Sequence, residues 1–188
     1  MGKSASGKDH IYARLAAHEG LGLKKLVLYT TRPIRAEEEN GKQYYFVDDK
    51  KLEEFRSSGN LIEARAYHTV HGIWNYFTAD DGQVDLGRSD YLGIGTLESY
   101  VKMREYYGEE ALCPIYIEVE DGERLQRALD RERGQQEPKY AELCRRFLAD
   151  SEDFAEEKIA EAGIEKRFYN RDLKESIEEI SAYIKEHK

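Results

Sequence analysis

A glycine, four intervening residues and a Gly-Lys pair stand at the start of the chain, in Gly2-Lys3-Ser4-Ala5-Ser6-Gly7-Lys8. That spacing suits a loop whose backbone N–H groups wrap a phosphate while the helix behind it turns its free N–H groups towards the anion. Lys8 is the sharpest chemical group in the loop, a flexible ammonium that can meet the β- and γ-phosphates of a nucleoside triphosphate. The position after such a lysine normally carries a hydroxyl that helps bind Mg²⁺, and here it is Asp9. A carboxylate can ligate Mg²⁺ directly or through water, which makes Asp9 the candidate metal ligand.

A second set begins in Thr30-Thr31-Arg32-Pro33-Ile34-Arg35 and continues through Gly41-Lys42-Gln43-Tyr44-Tyr45-Phe46-Val47 to Leu61-Ile62-Glu63. Arg32 and Arg35, three apart on a proline-stiffened segment, form a fork for a phosphate, and the Tyr44 hydroxyl can donate to the same group. Glu63 then offers a carboxylate for a base. Guanine presents N1–H and N2–H₂ side by side, and one ionised carboxylate can accept both. His68 and His71 are further candidates for a polar contact, although solvated hairpin histidines fit the same pattern.

Elements must hold these groups. Ile11, Leu15 and Ala16 have helical spacing behind the loop, and Leu26-Val27-Leu28-Tyr29 reads as a short buried strand. Asn40-Gly41 marks a tight turn, Tyr44 to Val47 a strand, and residues 48–59 a helix with Leu52 and Phe55 inward. Residues 61–67 and 73–78 read as two more strands. Residues 91–95 return to a core pattern, followed by a helix over 97–107 and a β-branched strand in Pro114-Ile115-Tyr116-Ile117-Glu118-Val119. Residues 122–162 are charged and helical, broken at Glu137-Pro138. A weak strand at 167–170 precedes a closing helix with Ile177, Ile180 and Ile184 on one face. Alternating strands and helices favour an α/β fold with a mainly parallel sheet covered by helices. The expected organisation is a core of residues 1–31 and 81–188, with a small strand-rich lobe inserted at 32–80. No strand-like run precedes the loop, which leaves weak or poorly ordered nucleotide binding at residues 1–9 as the expectation.

At 188 residues the chain is long enough to bury a core without staples, and its two cysteines, Cys113 and Cys144, lack metal-ligand spacing. A reducing, cytoplasmic setting is the expectation. A net charge of −9 with 36 % charged residues argues against a nucleic-acid partner, whose phosphates are met by a basic surface. No run approaches the length of a membrane span. Fourteen tyrosines against one tryptophan supply many rings that carry a hydroxyl, suited to a core rim and to a polar ligand.

The loop, followed in order by T-T-R-x-x-R, G-K-x-Y-x-F-V and the L-I-E strand, resembles guanylate kinase through nearly the whole chain. The resemblance implies a P-loop NTPase-type core that holds ATP with Mg²⁺, an inserted lobe that binds GMP, and a helical lid over residues 122–162. It makes Gly2, Ser4, Ala5, Ser6, Gly7, Lys8, Asp9 and Asn170 the ATP-binding set. Arg32, Arg35 and Tyr44 match the GMP-phosphate ligands, Glu63 the guanine carboxylate, and Tyr76 and Thr78 the tyrosine and serine of Y-x-S. Arg131, Arg133 and Arg146 match lid arginines that act with Lys8 on the transferred group. The implied reaction is ATP + GMP to ADP + GDP in a monomer or homodimer, without nucleic acid or membrane.

Four features depart from the family pattern. Leu28 stands in place of a base-contacting serine, Gly93 and Gly95 in place of L-D-x-D carboxylates, Asp9-His10 in place of Ser-Thr, and no first strand is seen. Asp9 is therefore expected to take over part of the acidic role near magnesium. The departures also leave two other readings open, a non-catalytic guanylate-kinase-like nucleotide- or protein-binding module and a kinase for another nucleoside monophosphate.

Overall fold

Ile11 and Leu15, four apart and each 2 % exposed, make the inward stripe of helix α1 (Lys8–Ala16). Gly7 precedes it with φ 84°, a left-handed turn that glycine adopts at no steric cost. This helix belongs to the first of two compact units in the computed structural model, which describes residues 1–69 and 72–188. The first unit comprises residues 1–22, 94–101 and 112–188, and the second residues 23–93 and 102–111.

In the first unit, the β-branched run yields β7 (Tyr116–Glu118), paired in parallel with β8 (Arg167–Tyr169). Met1 lies along the opposite edge of β7. Its amino group donates to the Ile115 carbonyl at 2.7 Å, and its carbonyl accepts from the Ile117 N–H at 2.9 Å. Two ladder-type bonds from Met1 thus tie the start of the glycine loop to this sheet. The charged helical stretch forms α4 (Asp121–Arg133), α5 (Tyr140–Asp153) and α6 (Glu156–Glu161), with Pro138 between α4 and α5. Tyr116 stacks on Phe154 at 5.7 Å in a core completed by Leu97, Tyr100, Ile159, Ala162 and Ile164. The closing helix α7 (Leu173–Glu186) buries Ile180 and Ile184, leaves Ile177 half-buried, and packs on α1.

The second unit holds a four-stranded sheet in the order β3 (Tyr45–Phe46), β2 (Tyr29–Thr30), β5 (Gly72–Ala79), β4 (Leu61–Thr69). β2 runs parallel to β3 and antiparallel to β5. Tyr29 sits at its centre, stacked on Phe77 at 5.0 Å and touching Tyr45 and Phe55 edge-on or tilted. Helix α2 (Asp49–Ser57) covers this cluster with Leu52 and Phe55, and Asp48 caps its N-terminus by accepting from the Lys51 N–H. A short parallel pair joins β1 (Lys24–Lys25) to β6 (Tyr91–Leu92). Helix α3 (Leu97–Tyr107) begins in the first unit and ends in the second.

The single strand expected at Leu26 to Tyr29 is instead a crossing between two sheets. Leu26 donates to Leu92, the Leu28 carbonyl accepts from Tyr45, and between them Val27 bonds no strand. Its N–H and carbonyl are both taken by the Gln83 side-chain amide, at 2.9 and 3.1 Å. A side chain thus satisfies the backbone polarity that a ladder would otherwise have covered.

Candidate active site

Three side chains, Asn170, Asp150 and Arg124, brace the glycine loop within the first unit. Asn170, 6 % exposed at the end of β8, donates from Nδ2 to the Ser6 carbonyl at 2.8 Å and accepts from Ser176 Oγ. Its own carbonyl accepts from Arg127 Nη2 at 3.0 Å. The Ser4 N–H donates to Asp150 Oδ2 at 2.8 Å, and the Ser4 carbonyl accepts from Arg124 Nη1 at 3.3 Å. Gly2 and Gly7 are close-approach positions: a Cβ on Gly2 would lie 2.6 Å from the Ile117 carbonyl, and one on Gly7 2.3 Å from Asn170 Nδ2. Ala5 takes φ 61° without a glycine's freedom. Lys8 projects from the first turn of α1 with its Nζ 3.8 Å from Asp9 Oδ2.

The helices of the expected lid bring some arginines to this loop and not others. Arg146 on α5 reaches Ser4 Oγ at 3.2 Å. Ser4, Arg131 and Arg146 line one narrow cleft with Arg124, Glu132 and Phe147. Arg133 does not line it and pairs with Asp130 at 3.7 Å in an exposed position. Arg124 is 2 % exposed, bonded to Asp121 and Asp150 and stacked over Phe147 at 4.3 Å.

In the second unit, a bulge between Leu61 and Glu63 shifts the β4 register so that Glu63 faces Thr78 and Arg65 faces Tyr76. Both Glu63 oxygens are engaged, Oε1 by the Thr78 hydroxyl at 2.9 Å and Oε2 by Arg65 Nε at 3.1 Å. Arg32, 4 % exposed, lies against the rings of Tyr44 and Phe46, and Tyr44 meets Tyr76 edge-on at 5.5 Å. Its two Nη atoms grip Glu38 at 2.6 and 2.5 Å, whereas its buried Nε has no partner among the described residues. That grip holds the Glu38 carboxyl well below its ordinary range, at about 2. Arg35 is exposed and contributes its backbone N–H to the same Glu38. Spacing alone sets Arg32 and Arg35 side by side as a fork; the fold closes Arg32 on the Glu38 carboxylate. His68 is exposed on β4, and His71 lies outside the described residues.

Glu38, Arg65, Arg124, Arg127 and Asp150 had not been singled out from sequence. Asp121 with Arg124, three apart, and Glu123 with Arg127, four apart, leave a local signal on one helix. For a divalent cation, the described residues hold no group of three or more acidic, histidine or cysteine side chains. Asp9, with its side chain largely exposed at the loop's helix, still fits Mg²⁺, which takes one or two carboxylates and completes its shell with phosphate and water. Gly93 is open enough for ordinary contact with Leu26, but a Cβ on Gly95 would lie 2.4 Å from Ser99 Oγ. That hydroxyl accepts from the Thr96 N–H, so the Gly95 position serves close packing.

Known proteins are similar to this chain. A family profile described as guanylate kinase matches residues 1–78. The guanylate kinase of Anaplasma phagocytophilum (strain HZ) is 32% identical over 130 residues, covering 67% of this chain and 59% of that protein. That of Wolbachia sp. subsp. Brugia malayi (strain TRS) is 30% identical over 186 residues, covering 96% and 87%. The crystal structure of guanylate kinase from Anaplasma phagocytophilum superposes with a TM-score of 0.60 at 25% identity, over 98% of this chain and 82% of that one. No helix among the described residues is long and apolar enough to cross a membrane.

Proposed function

The chain belongs to the guanylate kinase family, and from that premise we propose that it transfers the γ-phosphoryl group of ATP to GMP, giving ADP and GDP. One observation carries the donor half of the reading. The loop from Gly2 to Lys8 is held by Asn170 in a shape that leaves the α1 N-terminus and the Lys8 ammonium as its positive groups. The helix N-terminus and the ammonium favour bound phosphate, and Lys8 stabilises the charge that spreads over a phosphoryl group in transfer. Arg131 and Arg146 line the cleft with Ser4, and they would add positive charge to the same group. Arg133 is a weaker candidate because its side chain faces solvent beside Asp130. Asp9 would hold Mg²⁺ together with the ATP phosphates, and the ion would neutralise charge on them.

The acceptor half rests on the second unit. Arg32 would offer a buried guanidinium, whose Nε has no partner among the described residues and which lies against Tyr44, to the GMP phosphate. Glu63 carries acceptor capacity for guanine N1–H and N2–H₂ beyond the two bonds it already makes, since an ionised carboxylate has about four lone-pair sites. A coupled assay of ADP release with Mg·ATP and a panel of monophosphates tests the acceptor. Turnover with GMP well above AMP, CMP and UMP is expected. Preference for another base would make this a kinase for that base, and binding of nucleotides without any turnover would make it a binding module.

A further inference from the structure

Ser4 has both of its backbone groups held by one ion pair, between a buried arginine and a partly buried aspartate. Arg124, 2 % exposed in the first turns of α4, donates from Nη1 both to the Ser4 carbonyl, at 3.3 Å, and to Asp150 Oδ2, at 3.0 Å. That same Oδ2 accepts from the Ser4 N–H at 2.8 Å. The carbonyl that Arg124 holds belongs to the peptide leading into Ala5, the one non-glycine residue with positive φ among the described residues, at 61°. For an L-residue that conformation costs free energy because Cβ crowds the backbone, and it persists where surrounding contacts over-determine it. Fixing the peptides on both sides of Ser4 leaves Ala5 little freedom to relax to negative φ.

We propose that Arg124 and Asp150, one from each helix flanking the cleft, are positioning residues that hold the phosphate loop in its left-handed Ala5 turn. They touch no nucleotide themselves. Arg146 on the same helix as Asp150 also reaches Ser4, through Oγ at 3.2 Å, so the pair ties the loop shape to the placement of a lid arginine. The inference rests on the reading of this loop as the ATP site.

Its test is a rescue. Calorimetric Mg·ATP affinity and steady-state kinetics are measured for the intact chain, Asp150→Ala, Ala5→Gly and the double variant. Asp150→Ala leaves Arg124 its bonds to Asp121, so the helix retains a partner for the buried charge. Asp150→Ala should weaken ATP binding about tenfold and raise the ATP KM with kcat within about twofold, the scale of releasing one strained residue. Ala5→Gly alone sets the reference affinity of a loop that takes the turn without strain. In the double variant ATP affinity should stay within about threefold of that of Ala5→Gly, because glycine takes the turn without being pinned. An Asp150→Ala chain that binds ATP normally, or a double variant weaker than Ala5→Gly by as much as Asp150→Ala is weaker than the intact chain, overturns the inference. Should Asp150→Ala fail to fold, Asp150→Asn takes its place under the same criterion. An intact chain that binds no Mg·ATP overturns the nucleotide reading itself, and the inference with it.

Discussion

Glu63 and Arg32 each hold a partner of opposite charge in the fold, and that decides what their substitution should do. Glu63→Gln keeps the shape but replaces one acceptor oxygen by a donor, which cannot accept from guanine or, if turned that way, from Arg65. GMP KM is expected to rise about tenfold or more, with the ATP KM unchanged, since a site built to bond a polar edge loses more than the bond itself. Glu38 gives a prediction with a definite sign. Its carboxyl is lowered from an ordinary 4.5 to about 2 by the Arg32 hydrogen bonds, so its contribution to the folded state is complete above 4.5 and is lost as pH falls towards about 2. A carboxyl carbon NMR titration should find that midpoint near 2, and a midpoint near 4.5 would remove the ion pair from the account. Lys8, Arg32 and Glu63 were legible because their motif spacings are local. Asp150 and Arg124 were not, because they meet Ser4 from 146 and 120 positions away.

At the scale of elements, long periodic segments were legible and short strands were not. Helix α7 was readable from isoleucines on one face, and α2 from its acidic start and Leu52 with Phe55. The run Leu26 to Tyr29 misled because apolar content signals burial without saying which strand receives each backbone group. Here Gln83, 56 positions on, receives Val27. Gln83→Ala should therefore strand a part-buried N–H and carbonyl and cost about 1–3 kcal/mol, read as a lower urea midpoint. A midpoint that does not move would show that water replaces the amide there. The bulge before Glu63 was equally silent in sequence, yet it sets which side chain faces Thr78.

For the whole molecule, the α/β class and the family were legible from the order of motifs along the chain. The division into two units, each with its own aromatic and aliphatic cluster, needed the fold. Ligand linkage follows from the folded state alone binding nucleotide. Mg·ATP at about 100 times its Kd should add about 2.7 kcal/mol, or roughly 5–10 °C in thermal midpoint for a chain of this size. Lys8→Ala should lose most of that shift while keeping the shift produced by GMP. Loss of both would mean that Lys8 supports the fold as a whole.

The central claim is phosphoryl transfer dependent on the loop lysine. The most direct measurement is GDP formation from GMP and Mg·ATP by the intact chain and by Lys8→Ala, with folding of both verified by circular dichroism. Turnover by the intact chain is expected, with a loss of about 10²- to 10³-fold in kcat/KM on removing the ammonium, the scale of deleting one transition-state donor. Equal GDP formation by both chains, or none by the intact chain, would contradict it.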